Sequence, residues 1–310
     1  IAPDRALSLQ VHPDRERART KFAEENEAGI PLDSPRRNYK DPNHKPEMLY
    51  ALTTFQAMAG FRAPRRAAEL LKGLGTDLSE RLYAVLRAQP DAEGVAAAFA
   101  SLLTERPSPQ DVADLAQACA ARLAEGSISP RVDENVVRLQ EQYPGDPGVV
   151  APLLLNPVTL QPGEAMFVPA GSVHAYMSGL GIEVMASSDN VLRAGLTAKP
   201  IDVPEMLACV DYVAAPPIRI APEHIGEATQ VFYSPVDDFE LAITTVTEAD
   251  GEVEIPGRSA RIILGVAGEV TIRSGDDVAR LAPGQAVLVR ADDARPTASG
   301  NGTVAQADVP

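Results

Sequence analysis

Tryptophan is absent from the chain, and aromatic residues make up only 5% of its 310 positions. That excludes a carbohydrate site built on stacked indoles. Cysteine is almost as scarce. Cys119 and Cys209 are the only two, too few for a disulfide framework, and both sit in helix-like or apolar surroundings. They read as buried thiols in a protein of the reducing cytosol. Positive charge is short as well: 28 Lys and Arg stand against 43 Asp and Glu, a net charge of −15. A general nucleic-acid binder needs a positive face, and anionic membrane surfaces repel an acidic chain. Neither partner is expected. No run of about 18 apolar residues is present to span a bilayer, and no signal-peptide pattern is visible. Histidine is limited to His12, His44, His174 and His224, so imidazole chemistry has few groups to draw on.

What is there suffices for two domains and a sizeable core. Apolar residues are 45% and charged residues 23% of the chain, an ordinary soluble balance. The chain opens in "IAPDRALSLQ", which reads as the interior of a structured run rather than a natural start. Residues 1–63 mix strand-like runs with loops. In "LSLQVHP" the alternation sets Leu7, Leu9 and Val11 on one face and Ser8, Gln10 and His12 on the other. "DSPRRNYKDPNHKPEM", residues 33–48, is dense in Pro, Asn and Asp and reads as a long irregular loop.

Residues 64–143 change register to amphipathic helices: "AAELLKGL", "SERLYAVL", "GVAAAFASLL" and "SPQDVADLAQACAARL". Val95, Phe99, Leu102 and Leu103 recur on one helical face. Ser108, Pro109 and Asp111 form a helix start, with a cap, a first-turn Pro and an acid at the positive end. This module reads as an insertion. β character returns over 144–222 and continues through 223–310, where "FELAITTVT" alternates and "SARIILGVAGEVTIRSG" reads as strand, turn, strand.

One unit occurs twice. "LQPGEAMFVPAGSVH" (160–174) and "LAPGQAVLVRADDAR" (281–295) share Pro-Gly, an acid or amide, Ala, then an apolar triplet. His174 lies eleven positions after Gly163, and Arg295 lies eleven positions after Gly284. The second copy has Arg where the first has His. The fold class expected is mainly β with an α insertion: two cupin-like jelly-roll barrels plus a helical domain, with one site rather than two.

His12 and His174 stand out. His12 shares a strand face with Gln10, and a tight turn delivers His174 onto a strand start. A divalent cation such as Zn²⁺ takes about four N and O donors at about 2 Å. The two histidines supply nitrogens and Gln10 an oxygen. Glu47, behind a Pro in the long loop, is the best acid to complete the set. His44 reads as a loop hydrogen-bonder and His224 as surface.

"LSLQVHPD", "YKDPNHKPEMLYALTTFQAMAGFR" and "PAGSVHAYMSGLGIEVMASSDNVLRAGLTAK", with the helical stretch between, closely resemble the type I mannose-6-phosphate isomerases. The likeness is strong over about residues 7–205 and loose beyond. It implies one Zn²⁺ per chain held by the Gln and His of the Q-x-H strand, the Glu of K-P-E and the His of G-x-x-H-A-Y, which fall on Gln10, His12, Glu47 and His174. It also implies a further segment before the Q-x-H strand.

The reaction implied interconverts mannose 6-phosphate and fructose 6-phosphate through a cis-enediol, in the cytoplasm, supplying mannose metabolism and GDP-mannose synthesis. It needs a charge sink, a proton carrier within reach of C1 and C2, and a cationic grip on phosphate. The resemblance offers Arg193, treated as essential, and Lys199 for the grip, with Ser8 lining the pocket. It offers Lys45, Tyr176, Glu183 and Asp189 for proton transfer, and no single base is singled out. Tyr176 shares a strand face with His174, and Glu183 is an acid within an apolar strand, where burial would raise its pKa. A sugar phosphate is the partner expected, and the chain reads as a monomer. Alternatives are an inactive fragment, a sugar-phosphate-binding cupin, or another metal-dependent cupin isomerase.

Overall fold

The computed structural model describes residues 1–310, which divide into two units: Ile1–Ile182 with Ser187–Ile218, and Glu183–Ala186 with Arg219–Pro310. The protein is mainly β with a block of helices, and no sheet closes on itself by hydrogen bonding. No helix is long and apolar enough to cross a membrane.

The first unit centres on an antiparallel five-stranded sheet. Its order is Leu155–Leu160, Phe55–Phe61, His174–Ser178, Leu9–Val11 and Leu192–Gly195. A second pair, Glu47–Ala51 with Ala165–Val168, runs antiparallel. Alternation assigns the two faces of the large sheet different tasks. Leu9, Val11, Met58, Ala175, Met177, Leu192 and Ala194 join one core together with the helices. Ala57, Ala59, Val158, Leu160 and Tyr176 turn the other way and pack with Leu49, Ala51, Met166 and Val168 of the strand pair. The sheet is therefore buried on both sides. One side is apolar throughout, and the other passes from an apolar cluster to the polar side chains described below.

Leu7 departs from the expected alternation. It packs with the second cluster, not with Leu9 and Val11. The strand starts only at Leu9, and the pairing with Leu192–Gly195 slips between Leu9 and Gln10. Residues 7 and 8 precede that strand, so its two-residue period does not govern them.

Helices Pro64–Leu71, Asp77–Ala88, Ala92–Thr104, Pro109–Gly126 and Pro130–Gln142 fall between strands Phe55–Phe61 and Leu155–Leu160, which pair with each other. The helical block is thus inserted into a continuous sheet. Val95, Phe99, Leu102 and Leu103 are all buried in its core. Ser108 caps its helix through the Asp111 backbone N–H, and Asp111 answers with the Ser108 N–H, a reciprocal cap. Fully buried Asp133 accepts from Arg122 Nε and Nη2 and from Ser127, and Arg122 also donates to the Leu70 carbonyl at 2.6 Å. Cys119 lies in the same core, where burial pushes its thiol up to about 12. It is an inert apolar filler.

A helix not expected from the sequence, Arg15–Glu27, follows the first strand. Asp14 caps it by accepting from the Arg17 N–H at 2.7 Å. The loop that follows is stapled by buried Arg37, which donates to the carbonyls of Tyr39 and Ile30 and to Asn26. Glu25 accepts from the backbone N–H groups of Asn38 and Tyr39. The long irregular segment is therefore ordered by polar anchors and by Tyr39, which is fully buried in the core.

The second unit is built on a sheet with the order Glu223–Ile225, Thr229–Tyr233, Glu240–Val246, Thr297–Asp308, Arg261–Ser274 and Asp277–Leu281. Its core holds Val246, Ile263, Val270, Ile272, Val289 and Val304. The sequence echo has a structural counterpart. Gly163 and Gly284 have φ of 91° and 85°. Each closes a turn in which the third residue on bonds back, Glu164 N–H to the Gln161 carbonyl and Gln285 N–H to the Ala282 carbonyl, both at 3.0 Å. Pro then Gly at the centre of a type II turn meets that geometry. The recurring acid or amide has a job: Glu164 accepts from the Gln161 N–H at 2.7 Å and Gln285 from the Ala282 N–H at 3.0 Å. Four-residue strands Ala165–Val168 and Ala286–Val289 follow at the same offset.

Asp308 is buried opposite Glu240 on one side and Arg261 on the other. Burial, then the Glu240 charge, pushes its carboxyl up to about 7 against a partial offset from Arg261. Because the folded value exceeds the ordinary 3.8, the folded state binds the extra proton between the two. Stability of this unit is therefore expected to be greatest below about pH 4 as far as Asp308 is concerned, and to fall as pH rises through about 7. Unfolding midpoints in urea across that window check this. The decline should vanish in Asp308→Asn, and an identical slope in that variant counts against the assignment.

Candidate metal centre

Cross-strand register builds one row of side chains. Gln10 lies opposite His174 on one neighbour strand and opposite Arg193 on the other. Directly opposed residues share a sheet face, so His174, Gln10 and Arg193 form a row. His12 and Tyr176 extend it along their strands. Glu47 opens its own strand and comes from the loop side.

These groups converge in a buried spot. His12 Nε2 is 3.0 Å from Glu47 Oε1, and His174 Nε2 is 3.2 Å from Glu47 Oε2. Donor atoms of the three lie within 4.8 Å of one another. The Gln10 amide nitrogen is 3.2 Å from His174 Nε2, and a half-turn of that amide exchanges its nitrogen for its oxygen. Lys45 Nζ sits 3.4 Å from Glu47 Oε1, and Tyr176 donates its hydroxyl to Glu47 Oε2 at 3.2 Å.

The ring nitrogens show what the spot is for. His12 Nδ1 donates to the Asn190 carbonyl at 2.7 Å, and His174 Nδ1 donates to the Ser172 carbonyl at 3.0 Å. A carbonyl can only accept, so the proton of each neutral ring is on Nδ1 and the lone pair is on Nε2. Both lone pairs face the carboxylate, and no hydrogen bond satisfies His12 Nε2. Burial pushes His12 below its ordinary value, outweighing Glu47 beside it. Burial alone would raise the Glu47 carboxyl, but the hydrogen bonds and charge that the two imidazoles offer when protonated pull it well below the usual carboxylate range. The carboxylate therefore demands positive charge, while burial turns the His12 ring toward its neutral form. Two imidazole lone pairs, a carboxylate and an amide oxygen are the donors a divalent cation takes, and a hydrogen-bonded Nδ1 is the usual support for such a ring.

Other predicted residues lie at varied distances from this cluster. Arg193 is half-buried in the row. Ser8 is half-buried just ahead of the strand, beyond the register slip. Asp189 is exposed, and its backbone N–H donates to Asp41. Glu183 is half-buried on the strand Gly181–Met185. Lys199 is exposed and lines a surface cavity of about 300 Å³ with Arg106, Asp146 and Thr197. His44 Nε2 accepts from Arg15 at 2.6 Å, as a loop hydrogen-bonder does, and His224 is on an exposed strand. Arg295 is exposed. Asn190, fully buried between the His12 ring and the 40–43 loop, is a site residue that sequence reasoning missed.

Fold and donor set together define a class: a β-sheet protein with one buried site shaped for a divalent cation. The model for the phosphomannose isomerase type I catalytic domain matches residues 2–64. The mannose-6-phosphate isomerase of Escherichia coli (strain K12) is 40% identical over 301 residues, covering 97% of this chain and 75% of that protein. The mannose-6-phosphate isomerase 1 of Arabidopsis thaliana is 30% identical over 304 residues, covering 93% of this chain and 67% of that protein. A zinc-bound crystal structure of mannose 6-phosphate isomerase superposes with a TM-score of 0.88 at 39% identity, covering 100% of this chain and 77% of the other. The Salmonella typhimurium enzyme bound to fructose 6-phosphate and zinc gives the same score, identity and coverage. The chain belongs to the type I mannose-6-phosphate isomerase family.

Proposed function

We propose that this protein is a zinc-dependent aldose-ketose isomerase that interconverts D-mannose 6-phosphate and D-fructose 6-phosphate. The observation that carries the reading is the convergence of two imidazole lone pairs on the buried Glu47 carboxylate, in one row with Arg193. Gln10, His12, Glu47 and His174 would hold the ion. When bound, it supplies positive charge opposite the oxygen on which charge develops as a proton leaves C2.

The remaining roles fall to the chain's own groups. Arg193, on the same face as Gln10, is placed to grip the phosphate as a planar fork, with Lys199 and Ser8 as further substrate contacts. The proton must pass from C2 to C1 through a cis-enediol on one side of the sugar. Lys45 and Tyr176 already reach the Glu47 carboxylate, which makes them the nearest carriers to the ion. Glu183 and Asp189 complete the candidates. The product feeds mannose use and activated-mannose synthesis, and the acidic surface suits a monomer in the cytoplasm.

Metal content and fructose 6-phosphate formation, measured on one purified preparation, test the reading. Zinc near one per chain with turnover is expected, with turnover lost on chelation and restored by added zinc. Zinc without turnover would reduce the protein to a sugar-phosphate binder. A folded protein with neither would overturn the metal reading.

A further inference from the structure

The segment Ser187–Asn190 is laced to the loop 40–43, and one side chain does most of the work. Asn190 is fully buried. Its Nδ2 donates to the carbonyls of Asp41 and Asn43, both at 2.8 Å, and its Oδ1 accepts from the Lys40 N–H at 2.7 Å. Its own carbonyl takes the His12 Nδ1 proton at 2.7 Å. Around it, Ser188 Oγ donates to the Asn43 carbonyl at 3.2 Å, Asn43 Nδ2 donates to the Ser187 carbonyl at 3.2 Å, and the Asp189 N–H donates to Asp41 at 2.8 Å. The loop so held runs directly into Lys45 and Glu47.

We infer that Asn190 is the positioning residue of the metal centre, resting on the metal reading above. It joins two donors that come from different parts of the chain. Its backbone sets the His12 tautomer, so that Nε2 and not Nδ1 faces the ion. Its side chain sets the path of the loop that delivers Glu47. Both amide hydrogens and the amide oxygen are used, so no other residue of this size serves. Aspartate keeps the shape and the acceptor for Lys40 but turns an oxygen toward two carbonyls. Alanine removes all three contacts.

The test uses the whole chain, stripped of metal and titrated with Co²⁺, whose visible absorption reports coordination geometry. Asn190→Asp is expected to lower Co²⁺ affinity about 10- to 100-fold, as loss of outer-shell support does, and to change the absorption spectrum. Hydrogen exchange of the amides of residues 40–47 should accelerate in the metal-free variant. Ser188→Ala, a milder loosening of the same lacing, should shift all readouts the same way by less, and it covers the case in which Asn190→Asp does not fold. Asp133→Ala, destabilising but confined to the helical block, should leave affinity and spectrum unchanged. Wild-type affinity, spectrum and exchange in Asn190→Asp or, where that variant does not fold, in Ser188→Ala overturn the positioning role alone. A wild-type chain that binds no Co²⁺ overturns the metal reading and with it this inference as a statement about the ion.

Discussion

Replacing His174 with alanine is expected to abolish both bound metal and turnover. His174 is fully buried, and its Nε2 is one of only two imidazole lone pairs at the site. Losing outer-shell support costs about 10- to 100-fold in affinity, and removing a donor outright costs more. Truncating a fully buried ring leaves a cavity and strips the Ser172 carbonyl of its Nδ1 partner, so the metal-free variant should melt earlier than the metal-free parent. Zinc stoichiometry, isomerase rate and melting temperature on one preparation check all three. A variant that retains one zinc per chain refutes the site as drawn.

Arg193→Ala separates holding the ion from holding the substrate. Arg193 lies opposite Gln10 in register but contributes no metal donor, so zinc content should be unchanged. Turnover should collapse, because the phosphate is the part of the substrate whose binding positions the reacting carbons. Truncating one partner of a hydrogen-bonded charge pair costs about 2–5 kcal/mol, or roughly 30- to 4,000-fold in kcat/KM. Arg193→Lys should recover part of the loss, since a point charge replaces a planar fork. Near-wild-type activity in Arg193→Ala would end the phosphate role.

Sequence and structure agree where one local signal suffices. The helices around Val95, Phe99 and Ser108 announce themselves by period and cap, and each lies where that period puts it. The four proposed metal donors are legible because each sits at a marked place: a strand face, a Pro-fixed loop end, a turn exit. Helix Arg15–Glu27 is not legible. It buries only Ala18 and depends on Asp14 at its start and on Arg17 reaching Glu205 at 2.8 Å, a partner far away in the chain. Asn190 is hidden for a different reason. Its bond to His12 comes from a backbone carbonyl, which every residue carries, so the residue type gives no hint. Leu7 packs with the other cluster because the strand starts only at Leu9, a boundary that alternation alone does not mark.

The paired turns at Gly163 and Gly284 give the chain a history as well as a shape. The same four-residue bend, the same backbone bridge from the third residue and the same short strand follow each, while His174 has Arg295 as its counterpart. What recurs is what the bend requires, and the proposed metal-binding side chain is not part of it. A scaffold of this kind can therefore gain or lose its chemistry by exchanging single side chains at the turn exit, with the bend itself left intact.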